Sequence, residues 1–202
     1  EIGDIINIQT AEYVSYHHMA TSFVRGKWGN SDKSHTSMLL AKCCHDIDLV
    51  MWFMGDNKPA RVSSFGSRMQ YRPENAPEGA GERCLVDCPY VDECVYSAKR
   101  LYIDTPERWK NYVWTPLEDK TDVTLDDKIA LLKTDWPYGH CVYKCDNNVV
   151  DHQSVVIDFA NGATGTHNMI GGSSFPQRTI RIIGTKGEIY GNFEDNIFYV
   201  SK

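Results

Sequence analysis

The sequence contains no apolar segment long enough to cross a bilayer. Its longest one, Met38–Met54, is interrupted by four ionisable side chains, whereas a membrane span needs about 20 apolar residues. A basic excess is missing too, because 21 Lys and Arg face 27 Asp and Glu, for a net charge of −6. Surfaces that neutralise nucleic-acid phosphates are rich in Lys and Arg. We therefore expect no membrane partner and no nucleic-acid partner.

A glycine-rich phosphate loop is also missing. Dinucleotide-binding domains carry G-x-G-x-x-G between a first strand and a helix, and no predicted strand is followed by that pattern here. The chain shows no internal repeat and no signal peptide. It begins at Glu1 directly in a strand-like segment, so we expect it to be cut from a longer protein. The seven cysteines, an odd number, favour reduced thiols and a cytoplasmic location.

Strand patterns dominate the last third of the chain. Asp151–Phe159 and Ala163–Ile170 alternate on either side of Asn161-Gly162, which predicts a hairpin. Further strands are predicted over Ile5–Tyr16, Pro59–Gln70, Thr179–Ile183, Glu188–Gly191 and Ile197–Val200. Tight turns join antiparallel strands. The predicted fold class is therefore α+β, an open, mostly antiparallel sheet with helices packed on one face.

Two helices are predicted. The first begins at Ser34 or Thr36 and ends at Met54, with Gly55 as its C-cap. The second covers Thr124–Thr134 and is capped by Thr124. Helical spacing puts one set of residues on the face expected to pack on the sheet, namely Leu40, Cys43, Cys44, Ile47, Val50, Met51 and Met54.

The first helix carries the charged residues Lys42, His45, Asp46 and Asp48 within two turns. Burying such groups unpaired costs several kcal/mol each, so we expect Lys42 to pair with Asp46 across one turn. The same side carries Leu49, Trp52 and Phe53, as a cleft wall does. His45 suits a general acid/base or a ligand of a substrate hydroxyl, and Lys42 a donor to developing oxyanion charge. The alternative is a structural salt-bridge network.

A cysteine-rich segment, about residues 71–102, is predicted to be an insertion. Its spacing Cys84-x3-Cys88-x5-Cys94 suits a tetrahedral zinc ion, with Cys141 or Cys145 as the fourth ligand. The alternatives are reduced, half-buried thiols or an oxidised pair. Arg25, Lys27, Trp28 and Asn30 lie in a polar loop before the first helix, which suits a lid over a polyol or an ordinary surface loop.

Several segments together resemble one known family. LLAKCCHDIDLVMWFMGDNKPARVSSFG, DHQSVVIDFANGATGTHNM, RTIRIIGTKGEIYGN and the opening IGDIINIQTAEYV are similar, in order, to the C-terminal domain of Gfo/Idh/MocA (glucose–fructose oxidoreductase / inositol dehydrogenase) proteins. The resemblance covers most of the chain except the cysteine-rich segment. It implies a substrate-binding and oligomerisation domain over residues 1–202 of an NAD- or NADP-dependent oxidoreductase that acts on a sugar or polyol.

The resemblance also implies roles for single residues. Many members carry Asp-x-x-x-His on a helix, and His45 matches that His, whereas the Asp position is Ala41. Lys42 is then the substitute for the missing polar contact, and we expect Arg25, Trp28 and Asp46 to bind the substrate. The Rossmann domain that holds the cofactor, and its catalytic Lys, are not in this sequence. We therefore expect the chain alone to be inactive and to form homo-oligomers through its sheet.

Two other functions remain open on the sequence. Some relatives are glycosidases that oxidise their substrate transiently with NAD, and the resemblance makes that activity the second hypothesis. A non-catalytic interaction domain stapled by zinc is the alternative from a different class.

Overall fold

Residues 1–105 and 110–202 are described by the computed structural model. The chain divides into two compact units. The first, here the sheet unit, comprises Glu1–Tyr16, Thr36–Met69 and Val150–Lys202. The second, here the cysteine unit, comprises His17–His35 and Gln70–Val149 and holds five of the seven cysteines. No helix among the described residues has the length and apolar character of a membrane span.

Seven strands form one open sheet in the sheet unit. They are β1 (Ile5–Ser15), β2 (Pro59–Ser67), β3 (His152–Phe159), β4 (Thr164–Ser173), β5 (Gln177–Gly184), β6 (Gly187–Asn192) and β7 (Ile197–Ser201). Their spatial order is β2-β3-β4-β1-β5-β6-β7. The predicted strands are confirmed, and so is the turn at Gly162, whose φ of 88° suits glycine.

The sheet is mostly antiparallel, as predicted, with one exception. β1 runs parallel to β4, and all other neighbours are antiparallel. Tight turns enforce antiparallel pairing only between strands that follow one another in sequence. β1 and β4 are separated by most of the chain, so no turn restricts their direction. The fold class is α+β with a mixed sheet.

The helices are short, namely α1 (Tyr16–His18), α2 (Ser31–Ser34), α3 (Met38–Lys42), α4 (Cys44–Met54), α5 (Lys110–Val113) and α6 (Leu125–Lys133). π-helical turns occur at Met19–Val24 and Lys99–Ile103, and 3-10 turns at Pro73–Asn75, Thr115–Leu117 and Pro137–Gly139. Two predictions are confirmed: Gly55 caps α4 with φ 60°, and Thr124 caps α6 in a capping box with Asp127.

The predicted long helix is instead two helices, α3 and α4. Cys43 separates them with φ −96° and ψ 5°, and the N-cap of α3 is Ser37, not Ser34 or Thr36. The break changes the directions in which the residues before and after it point. Only some of the residues predicted to face the core are therefore buried. Cys43, Val50 and Met54 are buried, but Leu40, which lies before the break, is 63% exposed.

The core of the sheet unit lies between α4 and one face of the sheet. It contains Ile8 of β1, side chains of β3 and β5, and two residues of α4, as the buried cluster Ile8, Val50, Met54, Val155, Ile157, Phe159, Ala163, Ile180 and Ile182 shows. A Cβ on Gly165 of β4 would lie 3.0 Å from Cγ1 of Val50. The absence of a side chain at this position lets the helix pack directly on the sheet.

Candidate functional site

Four charged side chains form a continuous chain of ion pairs in the sheet unit. Lys42 Nζ lies 2.9 Å from Glu12 Oε1, and Arg178 Nε lies 2.8 Å from Glu12 Oε2. The same Arg178 Nε lies 3.1 Å from Asp46 Oδ1. Two cations and two carboxylates therefore alternate in the order Lys42–Glu12–Arg178–Asp46, and their formal charges cancel.

The secondary structure brings these four side chains together. Glu12 and Arg178 are direct cross-strand partners on β1 and β5. Lys42 is the last residue of α3, and Asp46 lies in the first turn of α4. The predicted pairing of Lys42 with Asp46 is wrong, because the sheet supplies each of them with its own partner of opposite charge.

Burial makes this ion chain important for stability. The Asp46 and Glu12 side chains are 1% and 6% exposed, and those of Lys42 and Arg178 only 18% and 23%. Burial raises the pKa of Asp46, and the positive charge of Arg178 opposes that rise. Removing one member of a buried ion pair typically costs about 3–5 kcal/mol. These ion pairs therefore hold Lys42 in a defined position at the end of its helix.

A histidine lies beside the ion chain inside the sheet unit. His167 of β4 is 0% exposed, and its Nδ1 is 2.9 Å from Thr10 Oγ1. Burial lowers the pKa of His167 to about 4, so the ring is neutral at pH 7. Its Nε2 and Asp46 Oδ2 have no hydrogen-bond partner among the described residues.

One ring nitrogen of His167, one carboxylate oxygen of Asp46 and the Cys43 sulfur lie within 4.8 Å of one another, a spacing that a metal ion could bridge. Burial raises the pKa of Cys43 to about 12, which keeps its thiol protonated. Lys42 and Arg178 already supply two positive charges to the adjoining carboxylates, and a third cation would be repelled. We assign no metal to this group.

Sequence reasoning missed Glu12, His167 and Arg178. A signal for Glu12 was present, because it alternates with Ile8, Thr10 and Val14, on the face of β1 that is buried. A charged residue in the buried phase of a strand requires a partner. The partner itself could not be named without the register of β1 on β5.

His45 and Asp48 are exposed on α4. His45 makes no hydrogen bond or ion pair with any residue that the structure describes, and none joins it to Lys42. Its ring is therefore open to a ligand, in α4 beyond the break at Cys43 that follows Lys42, and directly before the buried Asp46. Trp52 and Phe53 further along α4 are stacked on one another, and Trp52 is 72% exposed.

Arg25 and Trp28 lie in the cysteine unit. Arg25 is 5% exposed, and its guanidinium donates to the carbonyls of His140 and Tyr96 and to the Tyr102 hydroxyl. Trp28 is half-buried against Phe23. A cleft of about 630 Å³ in the same unit is lined by Arg25, Lys27, Asn30 and others, Trp28 not among them. The predicted role of Trp28 in substrate binding stays a prediction.

The predicted zinc ligands also lie in the cysteine unit. Cys84, Cys88, Cys94 and Cys141 line one small cavity of about 20 Å³. Cys145, the other candidate for the fourth ligand, does not line it. All seven cysteines are free thiols.

The fold and the charged helix end together define a class of domain, an α+β domain in which an open mixed sheet carries polar helix ends on one face. The chain matches the family described as "Oxidoreductase family, C-terminal alpha/beta domain" over residues 1–197. It belongs to this family, the C-terminal domain of the Gfo/Idh/MocA oxidoreductases. The resemblance drawn from the sequence is thereby confirmed.

One curated relative is YteT of Bacillus subtilis (strain 168), which is named as a candidate oxidoreductase. The two are 24% identical over 201 residues, 95% of this chain and 42% of the relative. Among solved structures, levoglucosan dehydrogenase in complex with NADH superposes with a TM-score of 0.51 at 17% identity, over 96% of this chain and 34% of the dehydrogenase. Its complex with NADH and levoglucosan gives a TM-score of 0.50 at 16% identity, with the same coverage. The chain thus spans well under half the length of these proteins, and the structural matches show the fold.

Proposed function

We propose that this chain is the substrate-side domain of an NAD- or NADP-dependent oxidoreductase that acts on a sugar, a polyol or a derivative. The observation that carries the proposal is a half-buried lysine, Lys42, held at the end of α3 by Glu12, with the exposed His45 three residues further on in α4. Membership in an oxidoreductase family and the fold shared with a sugar dehydrogenase that binds NADH support it. We infer that a Rossmann domain elsewhere in the full-length protein holds the cofactor, and that the chain alone is inactive.

His45 is the proposed acid/base. Oxidation of an alcohol by a nicotinamide transfers a hydride from carbon and releases the hydroxyl proton, which a base must accept. An exposed imidazole is able to accept this proton. In the reverse direction the imidazolium returns the proton to the developing alkoxide.

Lys42 is the proposed electrostatic partner. Its ammonium group is a donor to the substrate oxygen, where negative charge develops during the reaction. Glu12 and, through Arg178, Asp46 fix the lysine in place. Asp46 is itself buried and bound to Arg178, so we assign it a positioning role instead of direct substrate contact. The guanidinium of Arg25 donates inside the cysteine unit, and its predicted contact with the substrate stays a prediction.

The test uses the full-length protein and follows NADH or NADPH formation with a panel of sugars and polyols. His45→Gln should lower kcat/KM by about 100-fold or more, the usual range for a lost general acid or base. Lys42→Met should lower kcat as well, because it removes stabilisation of the transition state. Asp48→Asn is the matched control, since Asp48 is exposed on the same helix, and it should keep the activity of the wild type.

An unchanged kcat/KM in His45→Gln would remove this residue from the mechanism. The same assay separates the glycosidase alternative, which returns its hydride and releases a sugar without net NADH. The cytoplasmic location predicted from the cysteines stays a prediction.

We further infer that copies of the protein associate through the open face of the sheet, the face opposite α4. Alternation and register place several exposed apolar side chains there, namely Phe65, Val156, Ile170, Tyr190 and Tyr199. Apolar patches of this kind mark contact surfaces.

A further inference from the structure

We propose that Cys84, Cys88, Cys94 and Cys141 are the four ligands of a thiolate-bound metal centre inside the cysteine unit. The inference does not depend on the proposed oxidoreductase activity. Its first support is convergence, because residues from three separate turns of the chain bring their thiols to one small cavity of about 20 Å³.

The backbone fixes two of these cysteines opposite one another. Arg83 and His140 form an isolated antiparallel bridge. On either side of it the Cys84 amide donates to the Gly139 carbonyl and the Cys141 amide to the Glu82 carbonyl, both at 2.9 Å. Two segments more than 50 residues apart in sequence are thus held together beside the cavity that Cys84 and Cys141 both line.

The loop that carries Cys88 and Cys94 is also closed by local hydrogen bonds. The Asp87 carboxylate accepts from the amides of Glu82 and Arg83, at 3.1 and 2.8 Å. The Cys94 amide donates to the Tyr90 carbonyl at 2.9 Å. A polar segment without regular strands is therefore held in one conformation around the cavity, which preorganises the ligands.

Arg25 supplies an independent argument from charge. The guanidinium is 5% exposed and its partners are two carbonyls, the Tyr102 hydroxyl and the Cys84 sulfur, which lies 3.5 Å from Nη2. No carboxylate is among its partners in the described part of the chain. A buried cation without a counter-charge costs several kcal/mol. Four thiolates around a divalent ion carry a net charge of −2, so the metal centre supplies the missing negative charge.

Cys145 is not a ligand in this assignment, although its spacing from Cys141 leaves it open on the sequence. Its sulfur lies 3.2 Å from the Cys141 carbonyl oxygen, to which the thiol donates. Cys145 is therefore the matched control for substitutions of the ligands.

The spacing of the sulfurs bears on which metal binds. A tetrahedral zinc site with Zn–S distances of 2.3 Å places its sulfurs about 3.8 Å apart. Among the described residues, no three of the cysteine-unit sulfurs lie within 4.8 Å of one another. Zinc would have to draw the sulfurs together, whereas an iron–sulfur cluster, which is also held by four cysteines, keeps them farther apart. The zinc ion and the iron–sulfur cluster would both be bound through cysteine thiolates.

The test is metal analysis of the protein, purified without oxygen and without chelators. We expect about one zinc, or about four iron with four acid-labile sulfides and a visible absorption band, per chain. These two results distinguish the metals, and either supports the centre. If the protein binds less than about 0.2 equivalent of zinc per chain after incubation with zinc, and also less than about 0.2 equivalent of iron after incubation with iron and sulfide, the proposed metal centre is overturned.

Variants test the ligand assignment. Cys84→Ser and Cys141→Ser should each reduce the bound metal at least fivefold, and Cys145→Ser should retain it. Equal loss of bound metal in Cys145→Ser would contradict the proposal.

Because a ligand variant could unfold, thiol labelling of the wild type is the second measurement. Four thiols should become reactive only when a chelator or a mercurial has displaced the metal, and labelling at the same rate before and after metal removal would count against the centre.

Discussion

Single buried polar residues determine much of the chemistry in the sheet unit. Thr10 and Glu12 occupy core positions of β1, where a hydrophobic residue would be expected. Each is matched by a partner on a neighbouring strand, His167 on β4 for Thr10 and Arg178 on β5 for Glu12. The sheet therefore carries a polar strip under the end of α3, and this strip positions Lys42.

His167 should make the stability of the protein depend on pH. Its pKa is about 4 in the folded state, against about 6.5 in an unfolded chain. Burial is the main cause, with Arg178 lowering and Glu12 raising the pKa. The unfolded state takes up a proton that the folded state does not, so this contribution to stability is complete above about pH 6.5 and is lost as the pH falls toward 4.

The expected size is about 2 kcal/mol between about pH 7.5 and pH 5, in the free energy of unfolding by urea. His167→Asn should remove this part of the pH dependence, because asparagine can still bond Thr10 but does not titrate. His45→Asn, at an exposed position, should leave it in place. If the free energy of unfolding changes with pH in the same way in the wild type and in His167→Asn, the buried His167 is not the source of this pH dependence.

At the scale of elements, the packing of α4 on the sheet decides where the charged residues point. The break at Cys43 ends α3 and begins α4 in a new phase. Lys42 can therefore reach β1 while Asp46 reaches β5. A single continuous helix would have placed Lys42 and Asp46 one turn apart on the same side.

Gly165→Ala tests this packing. The new Cβ would lie 3.0 Å from Val50 Cγ1 and 3.3 Å from the Phe159 ring, both closer than ordinary contact. We expect a loss of about 1–3 kcal/mol in the free energy of unfolding, as for other overpacked cores. The measurement is urea denaturation, with Thr166→Ala on the opposite face of β4 as the control.

The combination with Val50→Ala sharpens the test, because it removes the nearer contacting atom. Gly165→Ala should cost less in the Val50→Ala background than in the wild type. Strictly additive effects of the two substitutions would show that the helix does not rest on Gly165.

At the scale of the whole molecule, the sheet has two different faces. One is covered by α4 and carries the core cluster. The other is open, with aromatic side chains such as Phe65 (78% exposed) and Tyr199 (65% exposed) next to ion pairs such as Arg61–Asp158. A large exposed face of this composition resembles a protein interface more than a solvated surface.

Replacing Phe65 and Tyr199 together with Asp should therefore reduce the molar mass in solution to that of one chain, because buried charges would oppose association. Light scattering after size-exclusion chromatography measures this directly. Trp52→Asp is the control, since Trp52 is an equally exposed aromatic on α4 instead of the sheet. A wild type that is monomeric, or a double variant of unchanged mass, would contradict the interface.

The sequence by itself determined the local elements. Alternation and Asn161-Gly162 predicted the hairpin of β3 and β4, Thr124 and Asp127 the start of α6, and Gly55 the end of α4. These signals are local, since each rests on side chains and backbone angles within a few residues. The same is true of His45 and Lys42, because their spacing and the match of His45 to a family motif can be read directly from the sequence.

Only the tertiary structure decided which distant residues meet. The parallel pairing of β1 with β4, the partners of Lys42 and Asp46, and the choice of Cys141 over Cys145 at the cavity all depend on strand register or on loops brought together across many residues. Hydrophobic periodicity reports which face of an element is buried, not which element covers it. The ion chain around Glu12 and the buried His167 could therefore be recognised only when β1, β4 and β5 were placed side by side.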